Sequence, residues 1–237
     1  MKKRYQWILF DADNTLFDFN RAETQALVWT FDDLGLVYQA DYGDLYKKIN
    51  SAIWVEFEQG LITSTQLRVE RFARLIRAAG IAADAQVFSR AYLPNLAKGS
   101  QLLAGAEELV KKLHGAYRLG LVTNGLSDVQ RPRLQASPIG DCFEVVVISD
   151  EIGVQKPEAG FFEVAFERMG QPPRSAVLLV GDGLSADIQG GNGFGLDTCW
   201  YNPAGKPADP RFPATFEIRA LADLASILPG ENEGEGS

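Results

Sequence analysis

The chain has 237 residues, enough for a sizeable core and for one domain or two, and its 46% hydrophobic and 23% charged residues are proportions of a globular protein. A formal net charge of −8 disfavours nucleic-acid phosphates or an anionic membrane as general partners. A small anion can still bind where local positive groups outweigh that field.

In chain order, the basic stretch Met1-Lys2-Lys3-Arg4 is followed only by Tyr5 to Phe10 before Asp11, too short for the apolar region of a signal peptide. No run approaches the ~20 apolar residues of a membrane span, so a cytoplasmic location is expected. Ile8–Phe10 reads as a strand that ends in Asp11-Ala12-Asp13-Asn14-Thr15. In extended chain, residues i and i+2 point the same way, and two adjacent like charges need a metal ion, a reaction or solvent to offset their repulsion. From about 17 to 102 no strand pattern occurs. Four amphipathic helices are predicted instead, near 21–34, 43–59, 64–79 and 84–97, with breaks at Gly35, Gly60 and Gly80. An all-helical insert of this length predicts a second, smaller domain. Trp29, Trp54, Phe57 and Phe72 read as its core, while Glu56 and the loop Gly60–Thr63 are candidates to face an active site.

Beyond 102, helices Ala104–His114, Ser127–Ala136, Glu158–Met169 and Ser185–Gly190 alternate with strands Arg118–Val122, Val145–Ile148, Ala176–Val180 and Thr198–Tyr201. Near-continuous apolar strands separated by helices define an α/β fold, a Rossmann-like parallel sheet with right-handed crossovers. The expected domains are therefore a core of 1–16 and 98–237 and a helical insert of 17–97. Residues 230–237, acidic and without apolar side chains, are expected to be disordered. Two cysteines, Cys142 and Cys199, are too few for a disulfide framework and lack metal-type spacing; Cys199 reads as a buried thiol.

Ligands of open parallel sheets bind beyond the carboxyl ends of the strands. Those ends carry Asp11, Asp13 and Thr15; Thr123 and Asn124; Lys156, a few residues after the third strand; Asp182 and Asp187; and Trp200, Tyr201 and Asn202. Carboxylates with a hydroxyl, an amide and a lysine suit phosphoryl transfer. Hard oxygen ligands favour Mg²⁺, a carboxylate is a competent nucleophile, and Thr123, Asn124 and Lys156 are donors for phosphate oxygens. Asp13 is placed to protonate a leaving alkoxide and later to accept a proton from water. Rival readings fail on particular residues. An EF-hand counted from Asp11 would have Leu16 and Ala22 where Gly and Glu are needed. Gly181-x-Gly183-x-x-Ala186 lacks the downstream acid of a dinucleotide site, and Gly205-Lys206 is followed by Pro207 rather than the Ser or Thr of a P-loop. His114, the sole histidine, offers no two-histidine phosphatase.

These residues resemble the haloacid dehalogenase (HAD) superfamily. Its D-x-D-x-T, T-N, K-P and G-D-x-x-x-x-D elements occur in order at Asp11–Thr15, Thr123-Asn124, Lys156-Pro157 and Gly181–Asp187, each after a predicted strand. The resemblance implies that Asp11 is nucleophile and Mg²⁺ ligand, and that Asp13 is acid/base and ligates through its backbone carbonyl. It also implies that Thr123 and Lys156 bind phosphate, that Asp182 completes the metal site, and that the helical insert is an α-helical cap. Asp187 is assigned a place behind the metal ligands, paired with Lys156, with direct ligation left open. "FDADNTLFDF", "IWVEFEQGLITSTQL", "VISDEIGVQKP" and "DTCWYN" are similar to bacterial house-cleaning pyrimidine 5′-nucleotidases. That likeness implies a nucleoside monophosphate as substrate, with Phe17, Trp54 and Thr63 as candidate contacts. Phosphosugar or phosphoglycolate phosphatases are the runner-up, followed by a phosphosugar mutase, a dehalogenase and a silent binding protein. The glycine-rich segment 190–195 departs from the family and is expected to shorten or loosen the helix after Asp187.

Overall fold

The computed structural model describes residues 5–228; the acidic tail expected to be disordered lies outside them. The chain runs β1 (Trp7–Phe10), α1 (Phe19–Asp33), α2 (Tyr42–Glu58), α3 (Ser64–Ala79), α4 (Ala85–Ala97), α5 (Ala106–Leu113), β2 (Arg118–Thr123), α6 (Ser127–Gln135) and β3 (Val145–Ile148). It continues through α7 (Ser149–Ile152), α8 (Ala159–Met169), β4 (Val177–Gly181), a π-helical turn (Leu184–Gln189), α9 (Gly190–Phe194), β5 (Asp197–Tyr201), β6 (Phe216–Ile218) and α10 (Leu224–Ile227). Two compact units result. One runs through Phe17 and comprises also Leu102–Asn124 and the chain from Pro138; the other comprises Asp18–Gln101 and Gly125–Ser137.

In the first unit all six strands are parallel, in the order β3-β2-β1-β4-β5-β6. Strands flanked on both sides by helices have no solvent face, which is why β1, β4 and most of β2 are buried residue after residue. Trp7, Leu9, Val147, Val177 and Leu179 pack with Phe161, Phe162, Phe166 and Met169 of α8 and with Phe194. Chain order reverses at β1, which pairs with β2 on one side and β4 on the other. Such a switch point opens a crevice at the carboxyl ends of the strands.

The second unit is helical. Phe31, Tyr46, Phe72, Leu75, Phe88 and Tyr92 form its core, with Val129 of α6. Phe72 is fully buried as expected, whereas Trp29, Trp54 and Phe57 are only half-buried. Trp54 and Phe57 instead meet edge to face, rings 5.6 Å apart, and Trp29 lies under the Lys98 ammonium. Large aromatics at a helix margin can shed part of their surface this way without entering the core.

Candidate active site

Asp11 is the first residue beyond β1. Its N–H still donates to Val180 O (2.9 Å), but the strand ends at Phe10, so Asp11 and Asp13 are not set by strand alternation. The chain turns instead: Asn14, at φ 60°, donates its N–H to Phe17 O, and Leu16 and Phe17 both donate to Ala12 O. Asn tolerates this left-handed conformation better than most residues. Asp11 is buried and Asp13 half-exposed.

Lys156, 1% exposed, is the centre of the cluster. Its Nζ donates to Asp11 Oδ1 (2.8 Å), Asp187 Oδ1 (2.7 Å) and Val122 O (2.8 Å). Asn124 fixes the lysine's backbone: Lys156 N donates to Asn124 Oδ1 and Asn124 Nδ2 donates to Lys156 O, both at 2.8 Å. The Asn124 amide expected to meet phosphate is thus engaged with Lys156, while Thr123, 1% exposed, closes β2 beside it.

Asp182 follows the last residue of β4, and its N–H donates to Thr15 Oγ1 (3.1 Å). Asp187 Oδ2 accepts the Gly183 N–H (3.0 Å). A Cβ on Gly181 would lie 2.3 Å from the Asp187 carboxyl carbon, so only glycine lets that side chain reach back under the strand end. The glycine-rich segment acts similarly. A Cβ on Gly190 would lie 2.9 Å from Pro157 Cα, and one on Gly191 2.7 Å from Thr198 Cγ2. The helix is short, as expected, but Gly190 and Gly191 serve close packing rather than looseness.

Carboxylate oxygens of Asp11, Asp182 and Asp187 lie within 4.8 Å of one another, whereas the Asp13 side chain is not in that group. Burial pushes Asp11 well above the ordinary carboxylate range; Lys156 pulls it back, and Asp187 and Asp182 push it further. Burial first, then Asp187, pushes Asp182 up to about 7. Burial opposes the Lys156 ammonium, but Asp11 and Asp187 outweigh it and hold the lysine protonated. Three carboxyl groups gathered around one ammonium offer hard oxygen donors whose ionised forms burial and mutual repulsion oppose, an arrangement that a small divalent cation would relieve.

The remaining candidates have local partners of their own. Phe17 is fully buried, its backbone bridged to Asp13 and Leu102. Thr63 caps α3 in a reciprocal capping box with Gln66, and Glu56 holds Arg74 through two hydrogen bonds of 2.6 and 2.8 Å. Trp200, in sequence only a residue at a strand end, donates its indole N–H to Asp182 O at 3.1 Å.

A buried, lysine-paired aspartate at the switch point of a parallel sheet, backed by two further carboxylates, is a carboxylate site suited to a divalent cation in a Rossmann-like α/β fold. Residues 5–195 match the haloacid dehalogenase-like hydrolases, and the chain belongs to that family. It is 40% identical to the HAD-hydrolase YfnB of Bacillus subtilis over 97% of this chain and 98% of that one. It is 35% identical to the pyrimidine 5′-nucleotidase YjjG of Escherichia coli over 95% and 98%. The crystal structure of YfnB bound to magnesium superposes with a TM-score of 0.91, covering 95% of this chain and 99% of that one. Among the described residues no helix is long and apolar enough to cross a membrane.

Proposed function

We propose that the chain is a Mg²⁺-dependent phosphomonoester hydrolase acting on pyrimidine nucleoside 5′-monophosphates in the cytoplasm. The observation that carries the reaction type is Asp11, buried at the switch point, aimed at Lys156 and next to Asp182 and Asp187. The substrate class rests on the likeness to YjjG. Mg²⁺, held by Asp11, Asp182 and the Asp13 backbone carbonyl with Asp187 alongside, would offset the charge of the phosphoryl oxygens and of the carboxylates. The Asp11 carboxylate attacks phosphorus, and the ester bond breaks as the leaving oxygen takes the Asp13 proton. An aspartyl-phosphate and a free alcohol result. Asp13 then takes a proton from the water that attacks the phosphoryl group, releasing phosphate and restoring Asp11. Lys156, turning the proton it gives Asp11 onto the phosphoryl group as that carboxylate attacks, and Thr123 bind the non-bridging oxygens, Asn124 keeps Lys156 in place, and Asp187 orients its ammonium. In this reading the helical unit selects the substrate.

Phosphate release from UMP, dUMP, AMP, glucose 6-phosphate and phosphoglycolate, with Mg²⁺ and with chelator, tests this. Expected are a preference for the pyrimidine nucleotides, loss of release on chelation, and loss in Asp11→Asn. A preference for the phosphosugar would replace the substrate class and keep the mechanism; full turnover in Asp11→Asn would sink the mechanism.

A further inference from the structure

Asp182 lies between the end of β4 and the π-helical turn, so neither element supplies both of its backbone partners. Side chains do. Its N–H donates to Thr15 Oγ1 at 3.1 Å, and its carbonyl accepts the Trp200 indole N–H at 3.1 Å. Both partners are buried, Thr15 at 0% and Trp200 at 4% exposure. Trp200 is itself placed by β5, paired with Gly181 of β4, which sets the indole one residue from the peptide it holds. Its ring also lines a groove of about 300 Å³ with Pro210, Phe212 and Phe216.

We propose that Trp200 is a positioning residue for Asp182, and through it for the divalent cation. An indole has a single donor and no acceptor, so this bond fixes the Asp182 peptide in one sense only. Without the N–H, the carbonyl of a half-buried peptide loses its partner, the peptide can rotate, and the carboxylate is no longer held toward Asp11 and Asp187. Partners that orient metal-binding residues typically change metal affinity 10–100-fold when removed. The inference rests on the metal reading of Asp182 given above.

The test is calorimetric titration of the whole protein with MgCl₂, together with the rise in melting temperature that Mg²⁺ produces. Trp200→Phe keeps most of the ring and removes the donor. A second variant, carrying benzothienylalanine at position 200, keeps the full bicyclic shape and removes only the N–H. Both are expected to bind Mg²⁺ about tenfold more weakly and to show a smaller Mg²⁺-induced rise in melting temperature. Phe216→Leu, which loosens the same groove without touching Asp182, should lower the melting temperature while keeping the wild-type Mg²⁺ affinity. Wild-type affinity in the benzothienylalanine variant would overturn the role of Trp200, as would an equal loss in Phe216→Leu. A wild-type protein that takes up no Mg²⁺ would instead overturn the metal reading itself.

Discussion

Lys156 shows what a single buried charge has to satisfy. Taking an ammonium out of water costs several kcal/mol, and the loss is offset only where its hydrogen bonds are complete and opposite charges adjoin. All three of its protons are directed, two of them at carboxylates that are themselves buried. Removing the lysine therefore leaves Asp11 and Asp187 without their cation. Lys156→Met should lower stability by about 3–5 kcal/mol in chelator, the usual loss when one partner of a buried pair is deleted, and should abolish turnover. Urea titration in the absence of Mg²⁺ measures it; a loss under about 1 kcal/mol would show that the carboxylates are solvated enough not to need the lysine. The same logic assigns Asn124. Its amide is matched donor to acceptor with the Lys156 peptide, so Asn124→Ala should act through misplacement of Lys156 rather than through a lost phosphate contact.

Among the elements, α9 and α3 show what glycine and threonine do at particular positions. A Cβ at Gly190 meets Pro157 Cα at 2.9 Å and the Phe162 ring at 3.0 Å, and the backbone of Pro157 cannot move aside cheaply. Gly190→Ala should cost about 1–3 kcal/mol by overpacking and should lower activity, because the strained segment adjoins Lys156. Three residues on, a Cβ at Gly193 would meet nothing within 4 Å, so Gly193→Ala should be neutral or stabilise by about 0.4–1 kcal/mol. Urea midpoints of the two variants check the contrast; equal effects would refute the close-approach argument. The capping box at Thr63 makes Thr63→Ala worth about 1 kcal/mol of helix stability whether or not the residue meets substrate. Gly80, at φ +64°, ends the helix where the sequence places a break, which with the helical spacing is why 64–79 was legible, whereas the Thr63 cap was not read. The strand β6 was not legible, because three residues following a Pro-rich loop carry too little alternation to read. Likewise α7 is a single turn closed by Gly153, shorter than any periodicity can reveal.

Over the whole molecule, what the sequence displayed well was the order of strands and their polar ends, since near-continuous apolar runs and the residues after them are local signals. Lys156, Asp11 and Asp187 meet although 145 and 31 positions separate the lysine from the two aspartates. That convergence follows from parallel topology alone. Hydrogen-bond direction was not legible: nothing local says that Asn124 would hold a lysine backbone or that Trp200 would reach Asp182. Burial of titratable groups, legible for Cys199 from the apolar run around it, sets the molecule's response to alkali. Burial pushes the Cys199 thiol up to about 12, and burial likewise raises the Tyr46 and Tyr92 hydroxyls. In the unfolded chain these groups ionise near about 8.5 and 10. A group whose folded-state pKa is the higher one holds its proton more tightly when folded. Its contribution to stability is whole below the unfolded value and is lost as pH rises from there toward the folded value. Stability should therefore be flat for these groups up to about pH 8.5 and then fall, first through Cys199 and above about pH 10 through the tyrosines as well. Each group steepens the fall by up to about 1.4 kcal/mol per pH unit. Urea midpoints from pH 7.5 to 10.5 measure the slope, and Cys199→Ala should flatten its first part while lowering the plateau by the packing lost. If the variant and the wild-type protein fall in parallel between pH 8.5 and 10, the thiol is not the group responsible. In the folded protein at pH 8 the same burial should leave Cys199 inert to alkylation until denaturant is added.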